Sequence, residues 1–418
     1  MDPAEDDVFD PMLGSGAAER PAGGLPKRLR LVGEALLTSL QSVLAALPDA
    51  PLRPSGLVRA LSVNRAVASK VLQATSQTDP LAALHQLPGP EPLRKLLRAA
   101  ARRGAPADAV AAAQQAVADF DTLIRRDAGT RPALDAMLAA SLPGARERFE
   151  LASKYSVFKG LSQLKGAQAD AWIGAAVLEP SASEPDRIDL TWLNSAVAMR
   201  RLRPGVGVRF SYRHRGPAAA GAAPASESAQ GVVSLEQFCV NPPAQLEARH
   251  VGDTIHYTLP DDLLGPRRAA DMFVVDHHPH AMQRYTDPAA PRRSSLFVDP
   301  PIPVATLVFD VLLHPEAFPG AEPELLIYDT GYDGIANVND RDRDLDRMDV
   351  SEHVEYLGRD ASALQLSELP RYGDALAHLA TRFGWDLSTY RAYRTRIQYP
   401  VHGWQVSMAF QPPSRGVH

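Results

Sequence analysis

The densest group of metal-binding residue types in the sequence is the run DHHPH, which contains Asp276, His277, His278 and His280. Imidazole and carboxylate groups bind zinc and other divalent metals. In an extended segment adjacent side chains point to opposite faces, so only His278 with His280, or Asp276 with His278, could chelate one ion. Because remote ligands would have to complete such a site, we interpret the run as a polar turn at a strand end, and a metal site as the weaker alternative.

A second group of carboxylates, from Asp329 to Asp349, has the spaced acids typical of a calcium-binding loop. When the loop is counted from Asp340, Leu345 occupies the position of the invariant glycine and Ser351 that of the bidentate glutamate. Two residues that define a calcium-binding loop are therefore missing. Arginines alternate with the acids over the same stretch. We therefore predict a solvated surface loop crossed by salt bridges, not a calcium site.

The sequence contains no signature of a catalytic centre: it has no G-x-S-x-G, no H-E-x-x-H and no glycine-rich phosphate loop. Its one cysteine, Cys239, lies in the strand-like QFCV and is interpreted as a small buried residue. An aromatic cluster near the C-terminus could line a ligand pocket or a protomer contact, with a core role favoured; it comprises Tyr390, Tyr393, Tyr399, His402 and Trp404. We expect neither an enzyme nor a bound cofactor or metal.

Charge is distributed unevenly along the 418 residues. The net charge is −5, but the segment from Lys27 to Arg103 holds twelve Lys and Arg against four Asp and Glu, which leaves −13 for the remainder. A basic segment on an acidic protein is typical of a nucleic-acid-binding domain. The acidic N-terminus, the lack of a long apolar run and the single cysteine predict a cytoplasmic protein that does not contact membranes.

Hydrophobic periodicity predicts helices in the first part of the chain. Residues 1–26 combine acids with Pro and Gly and are expected to form a disordered acidic tail. Apolar residues then recur every three or four positions from Lys27 to Leu47, and shorter helical patterns cover 55–62, 65–74, 79–87 and 90–103 before Gly104. These residues, 27–104, form the first predicted domain.

The pattern changes twice more along the chain. Residues 105–165 continue as helix with an apolar stripe from Val110 to Ile124, which predicts a helical linker or dimerisation region. Residues 166–418 read mainly as strands, with one helix near 370–384, and are predicted to form an α+β sensor or oligomerisation domain. The predicted fold class is therefore α+β multidomain, with an all-helical N-terminal domain followed by a mixed α+β domain.

The segment SGLVRALSVNRAVASKVLQAT, from Ser55 to Thr75, resembles the helix-turn-helix of bacterial transcription regulators. Apolar residues fall where the two short helices must pack closely, with Leu57 and Leu61 on the first and Val71 on the second. Ser62 occupies the position usually held by the turn glycine. Asn64 replaces the common serine as the cap of the second helix, and either residue is compatible with its place.

The resemblance implies that the second helix enters the major groove of double-stranded DNA. Arg65 would read base edges, because a guanidinium can bond guanine O6 and N7 together, whereas Lys70 and Arg59 would neutralise phosphates. Arg94, Lys95 and Arg98 could extend the phosphate contact. The DNA-binding residues implied in this way are Arg53, Arg59, Asn64, Arg65, Ala66, Ser69, Lys70 and Gln73.

The function expected from these features is a cytoplasmic, nucleoid-associated transcription regulator that binds double-stranded DNA as a homodimer. The dimer follows because one helix reads only a few base pairs. The second domain would receive a small-molecule signal or provide the oligomer contact. Two alternatives remain open: a metal-dependent enzyme, or a self-assembling scaffold protein, with an accessory helical domain.

Overall fold

The protein is described here from a computed structural model, which defines residues 24–48, 53–213, 233–251, 254–259 and 264–415. The chain divides into two compact units, residues 1–146 (unit 1) and 147–418 (unit 2). Helices make up unit 1, and unit 2 is a mixed sheet structure, which confirms the α+β multidomain class. The predicted acidic tail lies outside the described residues except for its last three positions.

Unit 1 is built from short helices with well-defined starts. Asn64, Asp79 and Thr130 each accept a hydrogen bond from a backbone N–H of the helix that follows, and proline opens several other helices, where no N–H is needed. The helices are α1 Leu25–Ala45, α2 Pro54–Leu61, α3 Arg65–Thr75, α4 Pro80–Gln86, α5 Pro90–Arg102, α6 Ala107–Thr122 with a π-helical end Leu123–Ala128, and α7 Arg131–Ala139.

The apolar stripe of α6 lies in the core of unit 1. Val110, Val117 and Phe120 are buried in one cluster with the apolar face of α1, and α6 packs against both α1 and α5. The arrangement differs from the predicted linker at 105–165, because α6 and α7 belong to unit 1 and the following helix lies mostly in unit 2. The stripe is covered by its own unit, so the argument for dimerisation through it does not apply.

Unit 2 begins within the long helix α8, Pro143–Lys165, and continues mainly as strands. The strands are β1 Ala167–Pro180, β2 Arg187–Arg201, β3 Val208–Arg213, β4 Val233–Ser234, β5 Glu247–Val251, β6 Thr254–Leu259, β7 Ala270–Gln283, β8 Ser294–Val298, β9 Val304–Leu313, β10 Glu324–Asp329, β11 Glu355–Gly358, β12 Arg391–Gln398 and β13 Trp404–Phe410, and helix α9 spans Tyr372–Phe383.

The largest sheet of unit 2 has the strand order β11-β12-β9-β1-β2-β7-β4. Strand β1 pairs in parallel with β9, and the other neighbours are antiparallel. Two smaller sheets have the orders β10-β13-β8 and β3-β6-β5. Residues 214–232, which include the whole of the Ala-, Gly- and Ser-rich run at 216–231, lie outside the described part of the chain.

Both faces of the large sheet are covered, which explains why its strands are rich in apolar residues. On one face Ile173 and Val177 of β1 pack with Leu376 and Leu379 of α9. On the opposite face the alternate residues of β1 and β2 meet the sheet β10-β13-β8, for example at Val406. The alternation of side chains along a strand produces these two separate cores.

A buried ionic network joins α9 to the large sheet. The Arg394 guanidinium on β12 donates two hydrogen bonds of 2.7 Å to Asp310 on β9, and the Tyr372 hydroxyl on α9 donates a third of 2.8 Å. Burial, and the Asp310 carboxylate close by, raise the pKa of Tyr372 well above its ordinary value. The bidentate geometry fixes the orientation of both side chains, so the network holds α9, β9 and β12 in fixed relative positions.

Candidate nucleic-acid interface

Helices α2 and α3 are joined by a tight turn at Ser62. Its backbone has φ 51° and ψ 38°, the left-handed conformation that a glycine adopts without strain. Leu57 and Leu61 of α2 are buried with Ala68 and Val71 of α3 in the core of unit 1. The geometry is therefore that of two short helices crossing closely, as the apolar spacing predicted.

The first turn of α3 is fixed by its cap. The Asn64 side-chain oxygen accepts a hydrogen bond of 2.7 Å from the Ala66 N–H, and its backbone carbonyl accepts one of 3.0 Å from the Ala68 N–H. At the opposite end, the Gln41 side chain of α1 donates to the Thr75 carbonyl at 2.8 Å. Both ends of α3 are thus held while its outer face stays open.

The outer face of α3 carries most of the side chains assigned to DNA. Arg65, Ala66, Lys70 and Gln73 are exposed, and Ser69 is half-buried beside them. These positions repeat at helical spacing and lie opposite the buried Ala68, Val71 and Ala74. Asn64 at the cap and Arg53 and Arg59, which precede the turn, are exposed as well.

Four cations of this region have no counter-charge in the described part of unit 1. Arg53, Arg59, Arg65 and Lys70 make no ion pair or hydrogen bond there through their charged groups, and the sequence has no Asp or Glu between Asp49 and Asp79. We call the exposed residues of α3, together with Asn64, Arg53 and Arg59, the basic face. Its charge is available for an anionic partner.

Two of the flanking arginines are engaged within unit 1. Arg94 donates a hydrogen bond of 2.7 Å to Asp121 of α6, which lowers the pKa of Asp121 and raises that of Arg94. Arg98 forms a 3.2 Å ion pair with Glu91, whereas Lys95 is exposed. Arg94 therefore joins two helices, and the predicted extension of the DNA contact through 94–98 is reduced to Lys95.

The predicted polar turn at DHHPH is instead part of strand β7, which pairs with β2 through this run. The His277 ring stacks on Phe383 with 5.1 Å between ring centroids, and burial lowers the pKa of His277. On the opposite face of the strand from His277, the Asp276 Oδ2 lies 3.0 Å from the His278 Nε2. Within the residues that the structure describes, no three His, Cys, Asp or Glu side chains are grouped as metal ligands would be.

The other candidate positions have structural surroundings. In the acidic loop the Arg343 guanidinium donates a hydrogen bond of 2.6 Å to the Asp346 carboxylate and others to backbone carbonyls. The loop is therefore crossed by a salt bridge, as predicted. Cys239 does not lie in a strand, because it follows the short 3-10 turn Glu236–Phe238. The residue is half-buried, and desolvation raises the pKa of its thiol to about 11. At neutral pH it is a thiol and a poor nucleophile.

The C-terminal aromatic cluster is mainly core, as favoured. Tyr390, Tyr393 and Trp404 are buried, and Tyr399 packs against Tyr155 of α8. His402 lines a pocket of unit 2 together with side chains that the sequence did not single out, Trp172, Trp192, Asn194, Arg209 and Asp299. The sequence signal for this pocket was a polar Asn within the apolar stretch TWLNSAVAM. The other residues that line the pocket are distant in sequence and come together only through strand pairing.

The chain matches no protein-family model, and comparisons with curated proteins and with solved structures found no similar protein. In the part of the chain that the structure describes, no helix is both long and apolar enough to cross a membrane.

Proposed function

We propose that the protein is a transcription regulator that binds specific sequences of double-stranded DNA through α3. The observation that carries the proposal is the basic face: a helix held at both ends, presented by a tight turn, with exposed cations that have no counter-charge among the residues described in unit 1. Duplex DNA is a dense anion whose major groove admits one helix. The eleven residues of α3 span about 16 Å, which suits insertion across that groove.

Residues on the basic face divide by the chemistry they offer. Arg65, in the first turn of α3, is placed to read guanine with two hydrogen bonds, and Ser69 and Gln73 can reach neighbouring base edges. The Ala66 methyl group can contact a thymine methyl. Lys70, Arg59 and Arg53 provide phosphate contacts, which supply affinity but no sequence information.

Helices follow α3 in the described chain up to residue 104, with no strand after it. The DNA-binding unit is accordingly proposed to be all-helical, without a β wing. One helix reads few base pairs, so we propose that two protomers bind paired half-sites, with a small molecule as effector, in the cytoplasm at the nucleoid.

The test is a comparison of three variants of the full chain on a duplex selected from a random-sequence pool. Arg65→Ala should weaken specific binding by about 1–3 kcal/mol, because the bidentate base contact is lost. Arg65→Lys keeps the charge but not the planar fork, so it should restore nonspecific affinity and leave the selected sequence poorly discriminated.

Arg126→Ala is the matched control, since Arg126 is exposed, has no charged partner among the described residues and lies on the π-helical segment. It removes the same charge from another element of unit 1. Equal losses for Arg126→Ala and Arg65→Ala would indicate a general charge effect. A selection that enriches no sequence, or an Arg65→Ala protein with parental affinity, would contradict the proposed function.

A further inference from the structure

A pocket of about 490 Å³ opens in unit 2 on the side of the large sheet that faces β10-β13-β8. Trp172 of β1 and Trp192 and Asn194 of β2 form one wall. The register explains this grouping, because Trp172 pairs with Ala196 and Gly174 pairs with Asn194, so the three side chains share one face. The volume lies within the range of small-molecule sites.

Asn194 is the most informative residue of this wall. The residue is 5% exposed, yet its carboxamide makes no hydrogen bond with any residue that the structure describes. Its amide atoms line the pocket and are accessible from it, so they are not sealed in the core. A hydrogen-bonding group that lies on a pocket wall and has no partner in the described chain is available to a ligand that enters the pocket.

The aromatic rings that line the pocket beside Asn194 are each packed on a second ring. The rings of Trp172 and Phe210 lie with 5.9 Å between their centroids, and Trp192 packs on Phe309 at 5.8 Å. Each ring is held by a second ring, so its position is fixed before a ligand arrives. Preformed aromatic surfaces favour planar ligands, because stacking there costs little conformational entropy.

Polar side chains also line the pocket. Arg209 is exposed there, and its guanidinium has no ion pair or hydrogen bond within the described chain. The His402 Nδ1 lies 3.1 Å from the Pro300 carbonyl and must carry the proton in that contact, which leaves Nε2 as an acceptor. Desolvation raises the pKa of Asp299 to about 6 and lowers that of His402. These groups suit polar substituents on a ring.

We propose that this pocket binds a small planar ring compound with an amide-like edge, a donor beside an acceptor, that pairs with the Asn194 carboxamide. The site lies entirely within unit 2, and ligand binding there does not depend on DNA binding. An adjoining pocket of about 430 Å³ shares Trp192 and Phe297 with it, but lacks a comparably buried polar side chain without a partner.

The experiment uses the full chain without DNA and follows tryptophan fluorescence and calorimetric heat. Nicotinamide is the first probe, because it joins a flat ring to a carboxamide, within a panel of planar amides that includes benzamide. Cyclohexanecarboxamide, which has the amide without a flat ring, and toluene, which has the ring without the amide, are the comparison probes. Saturable binding of the planar amides, at least about tenfold tighter than either comparison probe, is expected.

Asn194→Leu tests the assigned residue, with Ser195→Ala as the matched control. Ser195 is buried on the next position of β2, where the side chain points to the opposite face. Asn194→Leu should weaken planar-amide binding by about tenfold or more. It should not lower the thermal stability, because the Asn194 carboxamide makes no stabilising hydrogen bond within the described chain. Ser195→Ala should bind as the parent does.

Three results would overturn the proposal. One is the absence of saturable binding by every planar amide at millimolar concentration. The second is unchanged affinity in Asn194→Leu, and the third is equal affinity for cyclohexanecarboxamide. Because no DNA is present in any of these measurements, a failure here is distinguishable from a failure of the proposed DNA-binding function.

Discussion

At the scale of single residues, Ser62 and Asn64 make opposite contributions to the unit that presents α3. Asn64 satisfies a backbone N–H at the start of the helix, which is worth about 1 kcal/mol for a typical cap. Ser62 holds a left-handed backbone at φ 51°, which costs a residue with a Cβ about 1–2 kcal/mol relative to glycine. The turn is therefore kept at some cost in stability.

We predict that Ser62→Gly raises the free energy of unfolding of unit 1 by up to about 1 kcal/mol. The gain is less than the full strain, because glycine also gives the unfolded chain more freedom. Ser62→Val should lower it, since a β-branched residue fits this conformation worst. Urea denaturation of the full chain measures both. If Ser62→Gly is destabilising, the backbone at residue 62 is not left-handed in solution.

At the scale of elements, the buried network of Asp310, Arg394 and Tyr372 joins three elements of unit 2 through one carboxylate. Asp310→Asn keeps the size of the side chain but leaves the Arg394 charge buried without its counter-ion. We predict a loss of about 3–5 kcal/mol in the stability of unit 2. Thermal unfolding followed by near-ultraviolet circular dichroism reports the change.

The exposed pair of Asp170 and Arg200 is the control for that variant. Their contact distance is also 2.7 Å, but the Asp170 side chain is 57% exposed. Asp170→Asn should therefore change stability by no more than about 1 kcal/mol. Similar losses for the two variants would mean that burial does not determine the strength of the Asp310 network.

Sequence patterns predicted most elements because each is dominated by one local signal. The apolar runs VATLVFDVLL and WQVSMAF have the pattern of strands and form the strands Val304–Leu313 and Trp404–Phe410, and α3 begins directly after its Asn64 cap. The apolar pattern did not predict strand β12, because it contains arginines at 391 and 394, a residue type that is seldom buried. They are buried only because carbonyls and Asp310, far away in the sequence, accept their hydrogen bonds.

The candidate site was predicted better than the pocket for the same reason. The basic face is formed by one continuous segment, so the spacing of Leu57, Leu61 and Val71 was enough to place its exposed residues. The pocket depends on the register between β1 and β2 and on loops more than a hundred residues further along the chain. No local pattern brings Asn194 and His402 together.

At the scale of the whole molecule, the boundary between units changes what a truncation experiment can show. The first domain was expected to end at residue 104, but Val117 and Phe120 of α6 are buried in the core of unit 1. A chain cut after Arg103 would lose about a third of the buried residues of this core and should not fold. A fragment of residues 24–146 retains the whole cluster.

We predict that the fragment 24–146 folds and binds duplex DNA with the same salt dependence, per bound unit 1, as the full chain. The logarithm of the binding constant should fall linearly with the logarithm of salt concentration, and the slope reports the number of phosphates neutralised, which is set by the basic face alone. The fragment 147–418 should have no affinity even at low salt. Fluorescence anisotropy at several salt concentrations gives the slopes.

Light scattering on the same samples locates the self-association. If unit 2 pairs the protomers, the fragment 24–146 is monomeric. Its affinity for a two-half-site operator then falls, because the second half-site is no longer held at high effective concentration. Its salt slope per bound unit stays the same. Duplex binding by 147–418 with a steep salt dependence would place the DNA contact outside α3. A dimeric 24–146 would instead place the protomer contact within unit 1.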